Sequence, residues 1–525
     1  MVTSRVTFGA SRRPWIRGER IASLAWLAPW LCSIGLVFAL WHWGLRTRQV
    51  SHFGDDQEYL TMTMSFVRHG SPEFRPGDDL DMLRALPPRW QRTIARKFHT
   101  PHAPAAYFPG QDGAYYAFHF FTYSALSAPL RKWFDGQPQA ARAHQFTNLL
   151  WLSLAMLSLL QLRASPRLYW TLTPLAFLTP VLWFSTYAHT ECFVYACGII
   201  ALACFLRDRL LLAIWFNSLA ATQYQPLALL SFGLGALWLG RHWTAWREPR
   251  VWPRFASLAA GCALVLFPSA FYYAHFGVPN LIVRDGMASA KFMSAAKFFW
   301  LFVDPNGGLL AYAPGLFVWL ALATVWAVRR AVRERKFDGL LLGACAIGGL
   351  LGSTVQRNWN HPTFGISRYV LYGLAPMLLF IGHELRAFAG RRAAWLGCAG
   401  VALALQILIH RAYGFMEYSG KDSAHHSAFA SFVLERWPAL YSPPDEIFCE
   451  RTVRKCMVDG VTGAAYAEYL PIVWRDATGR AHKILAQRCD AQRVLDAAAW
   501  SAEERDKIAA ALRRCSGAGT FYIDL

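Results

Sequence analysis

The sequence predicts an α-helical polytopic membrane protein of about eleven transmembrane helices, with interfacial helices in the first outer loop and a small α+β extracytoplasmic domain at the C-terminal end. Three observations carry this. The 525 residues are 55% hydrophobic and only 16% charged, where a soluble protein carries about a quarter charged residues. Mean hydropathy is +0.22. Apolar stretches recur along residues 24–411, and the basic residues fall in short clusters between them.

The first stretch, 24–43, is about 20 residues long, enough to cross a bilayer and too long for the core of a cleaved signal peptide. It follows Arg5, Arg12, Arg13, Arg17 and Arg20. Ten more stretches lie at 143–162, 168–187, 189–206, 209–222, 225–240, 254–275, 309–328, 338–356, 366–385 and 393–411. Positive charge follows every even-numbered stretch, as at Arg163 and Arg167, at Arg207 and Arg209, and at Arg329, Arg330 and Arg333. Cytoplasmic loops carry that bias, so the N-terminus is expected inside and residues after 411 outside. Segment 115–131 is also apolar, but counting it as a span breaks the alternation. Its Tyr and Phe residues fit an interfacial or re-entrant helix. The net charge of +20 suits anionic lipid headgroups. No basic, aromatic-interleaved soluble module is present, which excludes nucleic acid as a partner.

This topology gathers polar groups on the outer face. The loop 44–142 opens with Gly54-Asp55-Asp56-Gln57-Glu58-Tyr59 and carries a second acidic run at Asp78-Asp79-Leu80-Asp81. Carboxylates at a membrane face are costly to desolvate, so Asp55 and Asp56 are candidate catalytic residues. A solvated loop or a helix cap is the plainer reading of such a pair. The turn at His189-Thr190-Glu191 and the amide of Gln223 offer substrate contacts. In the later loops Lys291 and Lys297 are six apart among Phe and Met, as on an interfacial helix facing lipid phosphate. Arg357, His361, Arg368 and Tyr369 stand before the tenth stretch. Arg368 is the best candidate for a phosphate, because guanidinium matches phosphate oxygens in pairs.

Two domains are expected: 1–411 in the membrane and 412–525 outside it. The second holds Cys449, Cys456, Cys489 and Cys515. An even number outside the cytoplasm suggests two disulfides, with three possible pairings. No CxxC pair accompanies them to suggest zinc. Residues 490–514 read as an amphipathic helix with a cap at Ser501, and Thr520-Phe521-Tyr522-Ile523-Asp524 as a terminal strand.

The layout fits glycosyl transfer from a lipid-linked sugar. An acceptor hydroxyl needs a base, which a carboxylate near the surface supplies. The departing lipid phosphate needs positive charge. The Gly-Asp-Asp after the first span, the eleven-span layout and the acidic turn at His189 and Glu191 resemble the GT-C class of polytopic glycosyltransferases. That class includes the dolichyl-phosphate-mannose-dependent mannosyltransferases and the bacterial aminoarabinose transferase. The resemblance covers roughly residues 20–411. It implies an essential acidic residue at Asp55 or Asp56, a polyprenyl-phosphate-linked sugar as donor, and a glycan, lipid or protein as acceptor on the outer side. A divalent metal (Mg or Mn) held by Asp56 and Glu191 is the cofactor the class allows. This chain lacks an Asp-x-Asp in its second outer loop. Short loops and the absence of other modules suit a bacterial inner membrane. The rival readings are an O-antigen ligase or polymerase, which relies on Arg and His in a late outer loop, and a multi-span transporter, which places ionisable residues mid-span.

Overall fold

The computed structural model describes residues 21–47, 55–85, 106–357, 364–388, 392–420, 424–453, 456, 469–487, 491–498, 500–513 and 520–525. In chain order the longer elements before residue 414 are α1 (Ile21–Arg46), α2 (Asp56–His69), α3 (Asp78–Ala85), β1 (Tyr107–Pro109), β2 (Tyr115–Ala117), α4 (Thr122–Trp133), α5 (Ala143–Ser158), α6 (Pro166–Phe177), α7 (Glu191–Leu206), α8 (Leu210–Ala221), α9 (Ala228–His242), α10 (Trp252–Leu264), α11 (Phe267–Phe276), α12 (Ala295–Val303), α13 (Pro314–Glu334), α14 (Asp338–Leu351), α15 (Arg368–Ala387) and α16 (Arg392–Tyr413).

Each of the eleven apolar stretches contains at least one helix, but fewer than eleven pass as spans. Five described helices are long and apolar enough to cross a membrane, and six if α10 and α11, bent by 51°, form one broken span. Proline explains part of the difference. Pro268 at the start of α11 has no N–H to continue the ladder of α10. The stretch 168–187 stops being α-helical at Phe177: Thr179 is extended before Pro180, and a 3-10 helix covers Pro180–Thr186. Segment 115–131 is not one helix either. Its first residues form β2, antiparallel to β1, and the helix begins only at Thr122.

The middle of the bundle is α7. All sixteen of its residues are buried, and α5, α8 and α15 pack around it. A helix that is apolar on every side has no face for water. Gly198 brings α15 close, since a Cβ there would lie 2.5 Å from Ala375 Cβ. That close approach lies between the middles of α7 and α15, whose N-terminal ends carry the polar residues.

The second acidic run has a structural role. Asp78 is fully buried and accepts hydrogen bonds from Ser65 Oγ (2.8 Å), the Arg75 backbone N–H (2.9 Å) and His69 Nε2 (3.0 Å). It ties α3 to the C-terminal half of α2.

Beyond residue 420 come α17 (Ala428–Arg436), α18 (Asp445–Thr452), β3 (Ile472–Arg475), β4 (Ala481–Gln487), α19 (Ala502–Arg513) and β5 (Thr520–Asp524). The strands form one antiparallel sheet in the order β3-β4-β5. The expected helix over 490–514 is two pieces, Ala491–Asp496 and α19. A reciprocal capping box starts α19: Ser501 N–H donates to Glu504 Oε2 (2.8 Å) and Glu504 N–H to Ser501 Oγ (3.2 Å). Cys449 and Cys456 form a disulfide seven residues apart, whereas Cys489 and Cys515 lie outside the described residues. Cys449→Ser is expected to lower stability by about 2–3 kcal/mol through lost loop closure, read as a lower thermal midpoint. An unchanged midpoint would show that the bridge carries none of it.

A buried polar clamp joins this part to the bundle. Tyr441 Oη donates to Asp304 Oδ1 (2.6 Å), Asn306 Nδ2 to Tyr441 Oη (2.6 Å), and Ser427 N–H to Asn306 Oδ1 (2.9 Å). In the same turn, Gly307 O accepts from the Ser367 N–H (2.9 Å), one residue before α15 begins.

Candidate functional site

The N-terminal ends of α2, α7 and α15 meet in a cluster of charged side chains. Asp55 occupies the N-cap position of α2, yet its side chain makes no capping hydrogen bond. It points away from the helix. Its Oδ2 accepts from Arg368 Nη1 at 3.0 Å, lies 3.5 Å from His189 Nε2 and 4.0 Å from His119 Nε2. Arg368, in the first turn of α15, also places Nη1 3.1 Å from His189 Nε2. His189 Nδ1 is 2.8 Å from Glu191 Oε2, and Tyr372 Oη donates to Glu191 Oε1 (3.3 Å). Tyr187 stacks on the His189 ring with 4° between planes, and Tyr59 meets its edge at 4.8 Å. These contacts leave the imidazole little freedom to turn.

Burial separates the two aspartates. The Asp55 side chain is 28% exposed, and Asp55 lines a chamber of about 160 Å³ with His119, His189, Gln223, Arg368, Tyr369 and Tyr372. Asp56 is fully buried and does not line it. The chamber shares Phe118, His119, Gln223, Tyr224, Ile282 and Gln356 with a larger, more apolar cavity of about 410 Å³. Gln223 sits on the boundary of the two. Its Nε2 donates to Phe120 O (2.9 Å), while its buried Oε1 has no hydrogen-bond partner among the described residues.

The remaining candidates divide. Tyr369 stands at the chamber wall, with the Arg368 guanidinium 5.7 Å from its ring centre. Lys297 lines neither cavity, but its Nζ donates to the carbonyl of Gln356, which lines both (3.0 Å). Lys291 lies outside both cavities, exposed beside Phe292. Arg357 does too; its backbone N–H donates to Met287 O (2.8 Å). Their two loops are joined by the bridge between Ala288 and Gln356, and it is Met287 and Gln356, not Lys291 and Arg357, that line the chamber. His361 falls outside the described residues.

Two contributors were not anticipated, Glu58 and His119. Glu58 is buried one turn into α2 and holds His119, whose Nδ1 is 2.8 Å from Glu58 Oε2 and whose backbone N–H donates to Oε1. Spacing could have shown Glu58, since residues three apart on a helix share a face. His119 stands between Phe118 and Phe120, and no pattern marks it. Burial works against the His119 imidazolium, but the Glu58 carboxylate and its hydrogen bond, with Asp55 further off, outweigh that and hold its pKa above the ordinary value of 6.5. Its protonation therefore stabilises the fold fully below about pH 6.5, and this contribution is lost as pH rises through the raised pKa. Thermal melts over pH should show that slope in wild type and a shallower one in His119→Asn. The same slope in both proteins would overturn the pairing.

Among the described residues no group of three or more His, Cys, Asp or Glu side chains is disposed to hold a metal ion. Of the two expected ligands, Glu191 has each oxygen engaged by protein, and Asp56 stands apart from the chamber wall.

No protein-family model matches the chain, and no curated protein matches it. Among solved structures it is similar to the crystal structure of ArnT from Cupriavidus metallidurans in the apo state, with 14% identity, a TM-score of 0.41, and coverage of 81% of this chain and 67% of that one.

Proposed function

We propose that the protein is an integral membrane glycosyltransferase of GT-C type, moving a sugar from a polyprenyl-phosphate carrier to an acceptor on the extracytoplasmic face. The observation that carries this reading is Asp55, a partly open carboxylate fixed between Arg368 and two histidines in a chamber that opens onto a more apolar one. In the proposed reaction the acceptor hydroxyl attacks the anomeric carbon and its proton passes to Asp55. The bond from that carbon to the carrier phosphate breaks, and the phosphate departs with the bonding electrons. Arg368 faces the phosphate oxygens. Its Nε is buried with no acceptor among the described residues, a donor that an incoming phosphate would satisfy. The free Oε1 of Gln223 suits a sugar hydroxyl, and the larger cavity suits the first isoprene units. His189 and His119, held by Glu191 and Glu58, fix the carboxylate between them. Asp55 is the proposed base in place of the Asp55–Asp56 pair.

The test is turnover by the purified full-length protein of a panel of polyprenyl-phosphate sugars, with and without a divalent metal and with a chelator. Release of carrier phosphate coupled to sugar transfer is the expected result, and the metal arm reads whether a cation assists Arg368. A wild type that instead carries such a substrate across liposome membranes without cleaving it would replace this reading with the transporter.

A further inference from the structure

On the far side of α2 lies a second cavity, of about 840 Å³, walled by α2, α3, α4 and the 3-10 helix Pro138–Arg142. None of the residues of the catalytic chamber lines it. Among the described residues its charged lining is Arg68, Arg84, Arg131, Lys132 and Asp135. Met64, Val67, Ala140 and Ala141 supply apolar wall between them.

The informative residue is Arg131. Cations in the last turn of a helix suit its dipole, which accounts for Arg131 and Lys132 at the end of α4, but not for burial. The Arg131 side chain is only 8% exposed, and its polar partner among the described residues is Asp135 at 2.9 Å, itself 62% exposed. A guanidinium has five N–H donors, and holding one out of water against a single solvated carboxylate is costly. A second anion in the cavity would relieve that. Arg68 donates to the buried Asp78 (3.4 Å) and keeps its side chain 42% exposed at the rim.

Position narrows the anion. Gln137, Ala140 and Ala141 form one wall, and the candidate span Gln139–Leu162 starts there. Trp133, beside Lys132, is 76% exposed, as aromatic residues are at the headgroup level. The cavity therefore lies at the end of a candidate span, with cations and apolar wall side by side. We infer that this cavity binds a phosphomonoester, carried on a membrane lipid headgroup, with Arg131 as its central contact. The site is separate from the transfer chamber and stands whether or not the protein transfers sugars.

The test uses full-length protein in neutral detergent and follows thermal unfolding as ligand is added. The probes are dihexanoyl phosphatidic acid, inorganic phosphate, and dihexanoyl phosphatidylcholine as a zwitterionic control. Phosphatidic acid is expected to raise the midpoint, and Arg131→Gln to weaken its binding about tenfold or more, in line with the loss of charged hydrogen bonds. Arg84→Gln is a second variant at the other wall, for the case in which Arg131→Gln does not fold. An equal shift with inorganic phosphate, lost in the same variants, would support the phosphate site with the free ion as its source. No shift with either phosphate would overturn the proposal. So would a shift the variants keep, or one that phosphatidylcholine matches.

Discussion

Replacing Asp55 with Asn is expected to lower the rate of sugar transfer by about 10²–10⁴-fold, the range for loss of a positioned general base. The change keeps shape but removes the charge that pairs with Arg368 and cannot hold the proton of the acceptor hydroxyl. Asp56→Asn is the informative partner. Asp56 is fully buried and off the chamber wall, so that change is expected to act on stability and leave the chemical step within a few-fold of wild type. Single-turnover rates on each purified protein, with a melting curve for each, read both effects. Full transfer by Asp55→Asn would remove the proposed mechanism. Collapse in Asp56→Asn alone, with folding intact, would move the base by one residue.

Arg368→Gln is expected to act on two levels. Removing a preorganised donor from a developing charge costs about 10²–10³ in rate, and here it falls on the departing phosphate. The same change leaves Asp55 without its cation at 3.0 Å, and breaking a buried ion pair from one side costs about 3–5 kcal/mol. Arg368 is 9% exposed and Asp55 28% at their side chains, so water offsets only part of that cost. Arg368→Lys is expected to restore much of the stability and little of the rate. An ammonium is a point charge and cannot reproduce a fork that would contact Asp55 and the proposed phosphate together. Rates and midpoints measured on all three proteins separate the levels. A lysine variant with wild-type rate would leave charge alone as the requirement.

The class of fold was legible in the sequence, because apolar stretches at bilayer length and alternating basic clusters are one-dimensional signals. So were most of the site residues. Asp55, His189, Gln223 and Arg368 each stand near the end of an apolar stretch, and helices that share a bilayer bring such ends to one level. The capping box at Ser501 and the terminal strand at Thr520–Asp524 were also readable, since each depends on neighbours in the chain. Span continuity was less so. Pro180 and Pro268 interrupt stretches that hydropathy averages over.

The choice between Asp55 and Asp56 belonged to the tertiary structure. Successive residues on a helix point about 100° apart, so the first turn of α2 turns one carboxylate to the chamber and the other inward, and only the packing of α2 reveals which. The same holds for His119, which owes its place to Glu58, and for the exclusion of Lys291 and Arg357, whose loops line the chamber with Met287 and Gln356 instead. Sequence alone determined which polar residues end an apolar stretch, because hydropathy and charge act locally. Which of them touch was decided by contacts such as Gly198 with Ala375, between residues far apart in the chain.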